Sequence, residues 1–144
     1  MGKTNLNEFA YGITGENRCF GDVTQPGYPD RLTGGSSSGA AASVLMGAAA
    51  IGLGTDTGGS LRAPAALCGL VGFKNTQART PLDGAFPLSF TLDTVCAMTR
   101  SVRDAILVHE ILAQRRVLRA NAPLSAYRLA VPTAVMLEGL DNRV

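Results

Sequence analysis

Apolar positions along this chain fall in short runs broken by glycine, proline and serine, and their period changes from one segment to the next. Residues 4–35 show little periodicity and many turn formers, among them Gly12, Gly15, Gly21, Pro26, Gly27 and Pro29. They predict loop, with one short helix around Leu6 to Tyr11. Ala40 to Ala49 is rich in alanine and entered through serines able to cap free N–H groups, which predicts a helix. Ala50 to Thr55 is short and apolar and reads as a buried strand that runs into the Gly-rich turn Asp56 to Ser60. Leu61 to Cys68 predicts a short helix, with Pro64 tolerated in its first turn. Leu70 to Lys74 predicts a second strand. The clearest helix is 101–118, where Ser101 and Asp104 have capping-box spacing and Val102, Ile106, His109 and Ala113 share a face. Arg128 to Val131 reads as a last strand. Helices alternating with short buried strands indicate an α/β protein.

Composition changes this picture in a few places. A chain of 144 residues suffices for one domain with a core of its own. Its 17 glycines, with many alanines and serines, suit close backbone approach more than a bulky aromatic core. The net charge of +2 is scattered. The cluster Arg115, Arg116 and Arg119 reads as a solvated helix end rather than a nucleic-acid footprint. Cys19, Cys68 and Cys96 are odd in number and lack C-x-x-C spacing, so they are expected to be reduced and mostly buried. No signal peptide is legible, and the longest apolar stretch, 14 residues from Ala40 to Leu53, is too short for a membrane span. The expectation is a cytoplasmic protein without a membrane partner. Both ends look cut, since Met1 opens directly onto Gly2-Lys3-Thr4-Asn5 and Val144 follows closely on the last predicted strand.

Two Gly/Ser loops, each at the start of a predicted helix, carry the candidate chemistry. Helix N-termini present unpaired N–H groups, and glycine lets a phosphate or an oxyanion come close to them. Phosphate binding fails on the residues: Gly54 and Gly59 have P-loop spacing, but Ser60 stands where that loop needs lysine. A dinucleotide fingerprint starting at Gly52 and Gly54 fails at Thr57. Gly35-Ser36-Ser37-Ser38-Gly39 matches G-x-S-x-G, yet it follows a Pro/Gly loop rather than a strand. The sole histidine, His109, reads as a packed or half-exposed helix residue and not as a base. A serine nucleophile served by something other than histidine remains, beside the reading of both loops as plain structural turns. No His/Cys/Asp set has ligand spacing, so neither a metal nor another cofactor is expected.

Gly34-Gly35-Ser36-Ser37-Ser38-Gly39, followed by Gly54-Thr55-Asp56-Thr57-Gly58-Gly59-Ser60-Leu61-Arg62-Ala63-Pro64-Ala65, resembles the signature of the amidase signature family. Gly2 to Ala10 and Cys68 to Lys74 match as well, so the similarity covers about residues 2–112. The resemblance implies part of an α/β/α sandwich with a mixed central sheet, as one partial domain over 1–144 that is incomplete at both ends. It also implies Ser–cis-Ser–Lys chemistry on a small-molecule amide. Ser60 matches the nucleophile and Ser36 the bridging serine, with a cis peptide bond at Ser36. The N–H groups of Thr57, Gly58, Gly59 and Ser60 match the oxyanion hole. Asp56 and Arg62 match residues that brace the loop, Ser37 a secondary hydrogen-bonder and Ser38 a helix cap. The family's base lysine belongs upstream of Gly2-Lys3-Thr4-Asn5, and neither Lys3 nor Lys74 occupies its place. Lys74-Asn75-Thr76 also departs from the family in having asparagine where proline is usual. Three functional expectations follow: an amidase acting through a Ser60 acyl-enzyme, a catalytically inactive fragment of one, or a fragment of the A subunit of a tRNA-dependent amidotransferase. The substrate and the oligomeric state are not legible.

Overall fold

The computed structural model describes residues 1–118, 122–131 and 138–141. In chain order its elements are β1 (Thr24–Gln25), β2 (Tyr28–Leu32), α1 (Ser38–Leu45), β3 (Gly52–Thr55), α2 (Arg62–Leu67), β4 (Val71–Gly72), β5 (Val95–Thr99) and α3 (Val102–Ala113). Single 3-10 turns lie at Glu8–Ala10 and Leu124–Ala126. β1 and β2 form a hairpin turned at Gly27, whose φ of 85° suits glycine. The main sheet has the order β3-β5-β4, with Gly52 opposite Met98 and Val71 opposite Thr99. Each of these pairings is antiparallel.

β5 is the middle strand and is buried along four of its five residues, as a strand covered on both faces must be. Cys96 and Met98 point to one face, where they meet Ala40 and Ala41 of α1, Ala65 of α2, and Leu61 and Cys68 at the ends of α2. α3 packs on β5 and β4 and buries Ala105 and Val108, which stand outside that cluster. Alternation turns Ala97 and Thr99 away from α1 and α2. The arrangement is helix, sheet, helix, in the α/β class expected.

Small residues set the spacing between these layers. A side chain at Gly52 would lie 2.8 Å from the Ala40 carbonyl oxygen, and one at Gly72 would lie 2.6 Å from the Ala65 Cβ. α1 and α2 therefore rest almost backbone-to-backbone on β3 and β4. The chain makes a thin core of alanine, cysteine and methionine because that spacing leaves no room for larger side chains.

The turn from β3 to α2 is built around Asp56, which is fully buried. Its Oδ1 accepts from the Gly59 N–H at 2.8 Å and from Arg62 Nη2 at 3.1 Å. Its Oδ2 accepts from the N–H groups of Leu61 and Arg62 at 3.3 and 3.1 Å, and from Arg62 Nε at 3.0 Å. The N–H groups that open α2 are thus satisfied by a carboxylate from outside the helix, the sign of charge that end favours. Asp56 and Thr94 exchange both backbone bonds, and the Thr94 hydroxyl donates to the Asp56 carbonyl at 2.9 Å, so β5 carries the turn. Burial pulls the Asp56 carboxyl upward, but the Arg62 guanidinium and the Arg62 and Leu61 N–H groups outweigh it and hold it below the usual carboxylate range.

Several expected elements are shorter or differ. The helix expected over 40–49 spans Ser38–Leu45, because the chain turns at Gly47 with φ 77°. The helix around Leu6 to Tyr11 is only the 3-10 turn Glu8–Ala10. α3 ends at Ala113 rather than at residue 118, closed by Gln114 in the left-handed region. Its buried face carries Ala105 and Val108, with Val102 at 63% exposure, because β5 approaches one position round from the stripe expected. Arg115 and Arg116 follow that helix end and are exposed, while Arg119 lies outside the described residues. Arg128 to Val131 is exposed and belongs to neither sheet, so the last expected strand is irregular there, and a strand needs a partner to bond. Cys19 is exposed, unlike Cys68 and Cys96, because it sits in the loop region before α1, outside the core.

The packing sets different tolerances at two glycines. Gly72→Ala should lower unfolding stability by about 1–3 kcal/mol through overpacking against Ala65. Gly58→Ala, with nothing within 4 Å of the added methyl group, should change it by less than about 0.5 kcal/mol. Equal denaturant midpoints for the two variants would contradict the close-approach account. Asp56→Asn should cost about 2–4 kcal/mol at pH 7, since it removes the charge and leaves donors unpaired. The native pKa is depressed, so the wild-type advantage is complete above about pH 4, the unfolded carboxylate value, and drains away as pH falls further. Urea titrations at pH 7 and pH 3 check this: an unchanged gap between wild type and variant would show that the ionised carboxylate is not what stabilises the turn.

Candidate active site

Ser36 is 1% exposed and lies in the loop from β2 to α1, while Ser60 is 6% exposed and closes the turn from β3 to α2. The two loops are tied main chain to main chain, with the Ser37 N–H donating to the Ser60 carbonyl at 3.0 Å. The Ser37 hydroxyl donates to the Thr55 carbonyl at 3.4 Å, next to the Asp56 turn. Gly54 has no side chain because the Ser37 side chain fills that space. The Gly35–Ser36 peptide bond is cis. Ser37 thus bonds both ends of the turn, the β3 end at Thr55 through its side chain and Ser60 through its main chain. Ser38 is not the helix cap: it is the first residue of α1, and its hydroxyl donates to the Asn5 carbonyl at 3.4 Å. Ser37 occupies the capping position without a side-chain capping bond.

The turn Thr57 to Ser60 presents main-chain N–H groups beside Ser60. Among the described residues, those of Thr57, Gly58 and Ser60 donate to no protein acceptor. The Gly59 N–H is already committed to Asp56, so it differs from the other three expected oxyanion donors. Arg62 braces the loop through its ion pair with Asp56 at 3.0 Å, its own side chain half exposed. The Thr57 hydroxyl is bonded to the Asp93 carboxylate, whose other oxygen accepts from the Leu88 and Ser89 N–H groups at 2.8 and 2.9 Å. Burial alone would raise the Asp93 carboxyl. The Thr57 hydroxyl, the two N–H groups and the Lys74 charge together bring it below its ordinary value.

Asn7 is a site residue that sequence reasoning passed over. Its backbone N–H donates to the Ser36 carbonyl at 3.1 Å, and its side-chain amide donates to the Glu16 carbonyl and accepts from the Gly15 N–H. It fills the space where a side chain at Gly35 would stand. Asn17 does similar work, with its Nδ2 donating to the Leu6 carbonyl and its Oδ1 accepting from the N–H groups of Cys19 and Phe20. The signal was the recurrence of buried-capable asparagines in a stretch without periodicity, since asparagine can bond the backbone of a loop that has no ladder.

The other ionisable groups considered in the sequence lie elsewhere. Lys74 Nζ donates to the Leu92 carbonyl at 2.8 Å and to the Thr94 hydroxyl at 3.2 Å, and Lys3 is exposed. His109 is half-buried in α3 with its ring edge-on to Phe73 at 5.2 Å, a packing contact. Among the described residues, no group of three His, Cys, Asp or Glu side chains could hold a metal ion. Among them too, no helix is long and apolar enough to cross a membrane.

Known proteins share both the sequence and the fold. An indoleacetamide hydrolase of Agrobacterium vitis is 39% identical over 140 residues, covering 97% of this chain and 30% of that protein. The A subunit of a glutamyl-tRNA(Gln) amidotransferase from Akkermansia muciniphila is 41% identical over 134 residues, covering 91% of this chain and 28% of the relative. Among solved structures, a crystal structure of an amidase superposes with a TM-score of 0.82 at 48% identity, over 85% of this chain and 28% of the other. The peptide amidase of Stenotrophomonas maltophilia gives 0.75 at 41% identity, over 80% of this chain and 25% of the other. The chain thus spans under a third of the length of the proteins it matches. The Amidase family model matches residues 1–132, and the chain belongs to the amidase signature family of amidohydrolases.

Proposed function

We propose that this chain carries the nucleophile and the oxyanion site of an enzyme that hydrolyses a carboxylic amide. The observation that carries the reading is a buried serine closing a turn in which three N–H groups are unpaired and the carboxylate of Asp56 fixes the backbone. Ser60 Oγ attacks the amide carbonyl carbon, and its proton passes through the Ser36 hydroxyl towards a base. The C–N bond then breaks, the nitrogen takes up that proton and leaves as ammonia or an amine, and an ester to Ser60 remains. Water attacks that ester, the carboxylic acid is released and the Ser60 proton is restored. The N–H groups of Thr57, Gly58 and Ser60 stabilise the negative oxygen of the two tetrahedral intermediates. The names of the relatives support amide chemistry of this kind, including a fatty acid amide hydrolase of Medicago truncatula that is 47% identical over 109 residues.

A second reading is favoured by the lysines. Lys74 is bonded to Leu92 and Thr94 and Lys3 is exposed, so neither is assigned as base. On this reading the chain alone binds an amide without turning it over. A relationship to the A subunit of an amidotransferase is a variant of the first reading, with ammonia passed to a partner rather than released.

Ammonia release from a panel of aliphatic and aromatic amides should fall by at least about 100-fold in Ser60→Ala and by a comparable factor in Ser36→Ala. Circular dichroism should show both variants folded. Ser60→Ala turning over at the wild-type rate would eliminate the nucleophile assignment. Folded wild type with no turnover on any amide would select the second reading.

A further inference from the structure

The peptide group between Asp56 and Thr57 leads from the buried carboxylate to the first of the free N–H groups, and its two polar ends differ. Its carbonyl accepts from the Thr94 N–H at 3.2 Å and from the Thr94 hydroxyl at 2.9 Å. Its N–H donates to no protein acceptor among the described residues. The bond is trans, since the cis peptide of the described residues is Gly35–Ser36, so carbonyl and N–H point in opposite directions from one rigid plane. Two donors on the carbonyl therefore fix where the N–H points.

The Thr94 hydroxyl has one hydrogen to give, and its neighbour decides where that hydrogen goes. Lys74 Nζ lies 3.2 Å from the hydroxyl oxygen and can only donate to it. The hydroxyl hydrogen is thus left for the Asp56 carbonyl. Thr94 is 1% exposed, so water does not compete for it. The half-buried Lys74 is itself steered by the Leu92 carbonyl at 2.8 Å. Ammonium, hydroxyl and carbonyl form a row of hydrogen bonds in which each polarises the next, and the row makes the Thr57 N–H a stronger donor. The Thr57 hydroxyl, donating to the Asp93 carboxylate, gives the residue a second anchor.

We propose that Lys74 and Thr94 are positioning residues of the oxyanion site, which aim and polarise the Thr57 N–H through the Asp56 carbonyl. The proposal rests on the amide-hydrolase reading above. It gives Lys74 a part in the reaction other than that of a base. Its charge acts on the oxygen of the tetrahedral intermediates through Thr94 and the peptide group, and it takes up no proton.

NMR and a boronate probe test this without turnover. Thr94→Val keeps the shape and removes the hydroxyl, Lys74→Met keeps the stem and removes the charge, and Thr94→Ser keeps the hydroxyl. The Asp56 carbonyl ¹³C and Thr57 ¹⁵N signals should move upfield in Thr94→Val, by less in Lys74→Met, and stay near wild type in Thr94→Ser. Methylboronic acid forms a tetrahedral adduct on a serine oxygen, and ¹¹B NMR should show it binding about tenfold more weakly to Thr94→Val and Lys74→Met. Thr94→Ser should restore its affinity, while that of acetamide, the ground-state analogue, should change by less than about twofold in every variant. Circular dichroism checks folding, and Lys74→Met carries the test if the buried valine does not fold. Peptide signals that stay in place overturn the proposal. So do shifted signals with unchanged boronate affinity, or with boronate and acetamide weakened alike, since the contacts would then be structural only. A wild type without the tetrahedral signal, or a Ser60→Ala that keeps it, removes the amide-hydrolase reading and this proposal with it. Those two spectra tell that failure apart from the others.

Discussion

The Asp56 carboxylate is held away from water, and three main-chain N–H groups and two guanidinium nitrogens take the place of its hydration. An unpaired charge at such a site would be prohibitive, so the surrounding backbone has little freedom to move while the ion is present. Gly59 must present its N–H to one oxygen while Leu61 and Arg62 present theirs to the other. That requirement bends the chain between β3 and α2 into one shape. Thr94 then fastens the same residue to the central strand, so the geometry around Ser60 is inherited from the sheet rather than set locally.

The second loop is held by different means. Among the described residues no ion pair anchors Ser36; the Asn7 N–H donates to its carbonyl, the Gly35 N–H beside it donates to Ile13, and the Asn7 amide braces Gly15 and Glu16. One half of the site is thus organised electrostatically around a charge. The other is organised by neutral amide groups that substitute for a sheet ladder. The two meet where Ser37 bonds Ser60.

What could be read from the sequence follows from these differences. The serine loops were legible because glycines and serines crowd there, and α3 announced its start through Ser101 and Asp104, with the Ser101 hydroxyl accepting from the Asp104 N–H and donating to its carboxylate. Its end was not legible: apolar residues continue past Ala113 to Val117 and Leu118, and only the left-handed backbone at Gln114 stops it. The hairpin of β1 and β2 was hidden because four of the five residues of β2 are exposed, which leaves no alternation to detect. β5, the strand on which both layers depend, drew no prediction. Val95 to Thr99 is short, and a strand buried on both faces shows neither helical nor alternating period. The fit of α1 over Gly52 and of α2 over Gly72 is also a property of pairs distant in sequence. Composition hinted at it through the glycine count, without saying which glycine met which helix.

The bond from the Ser37 N–H to the Ser60 carbonyl joins two peptide groups and uses no side chain. Replacing either residue with any of the other amino acids except proline at 37 leaves both bonding atoms present. The bond itself therefore does not depend on which side chains the two positions carry. Side chains around the two loops can vary while the main-chain bond between them stays the same. A fold built on such a joint can vary the side chains of both loops without first having to rebuild how the loops meet.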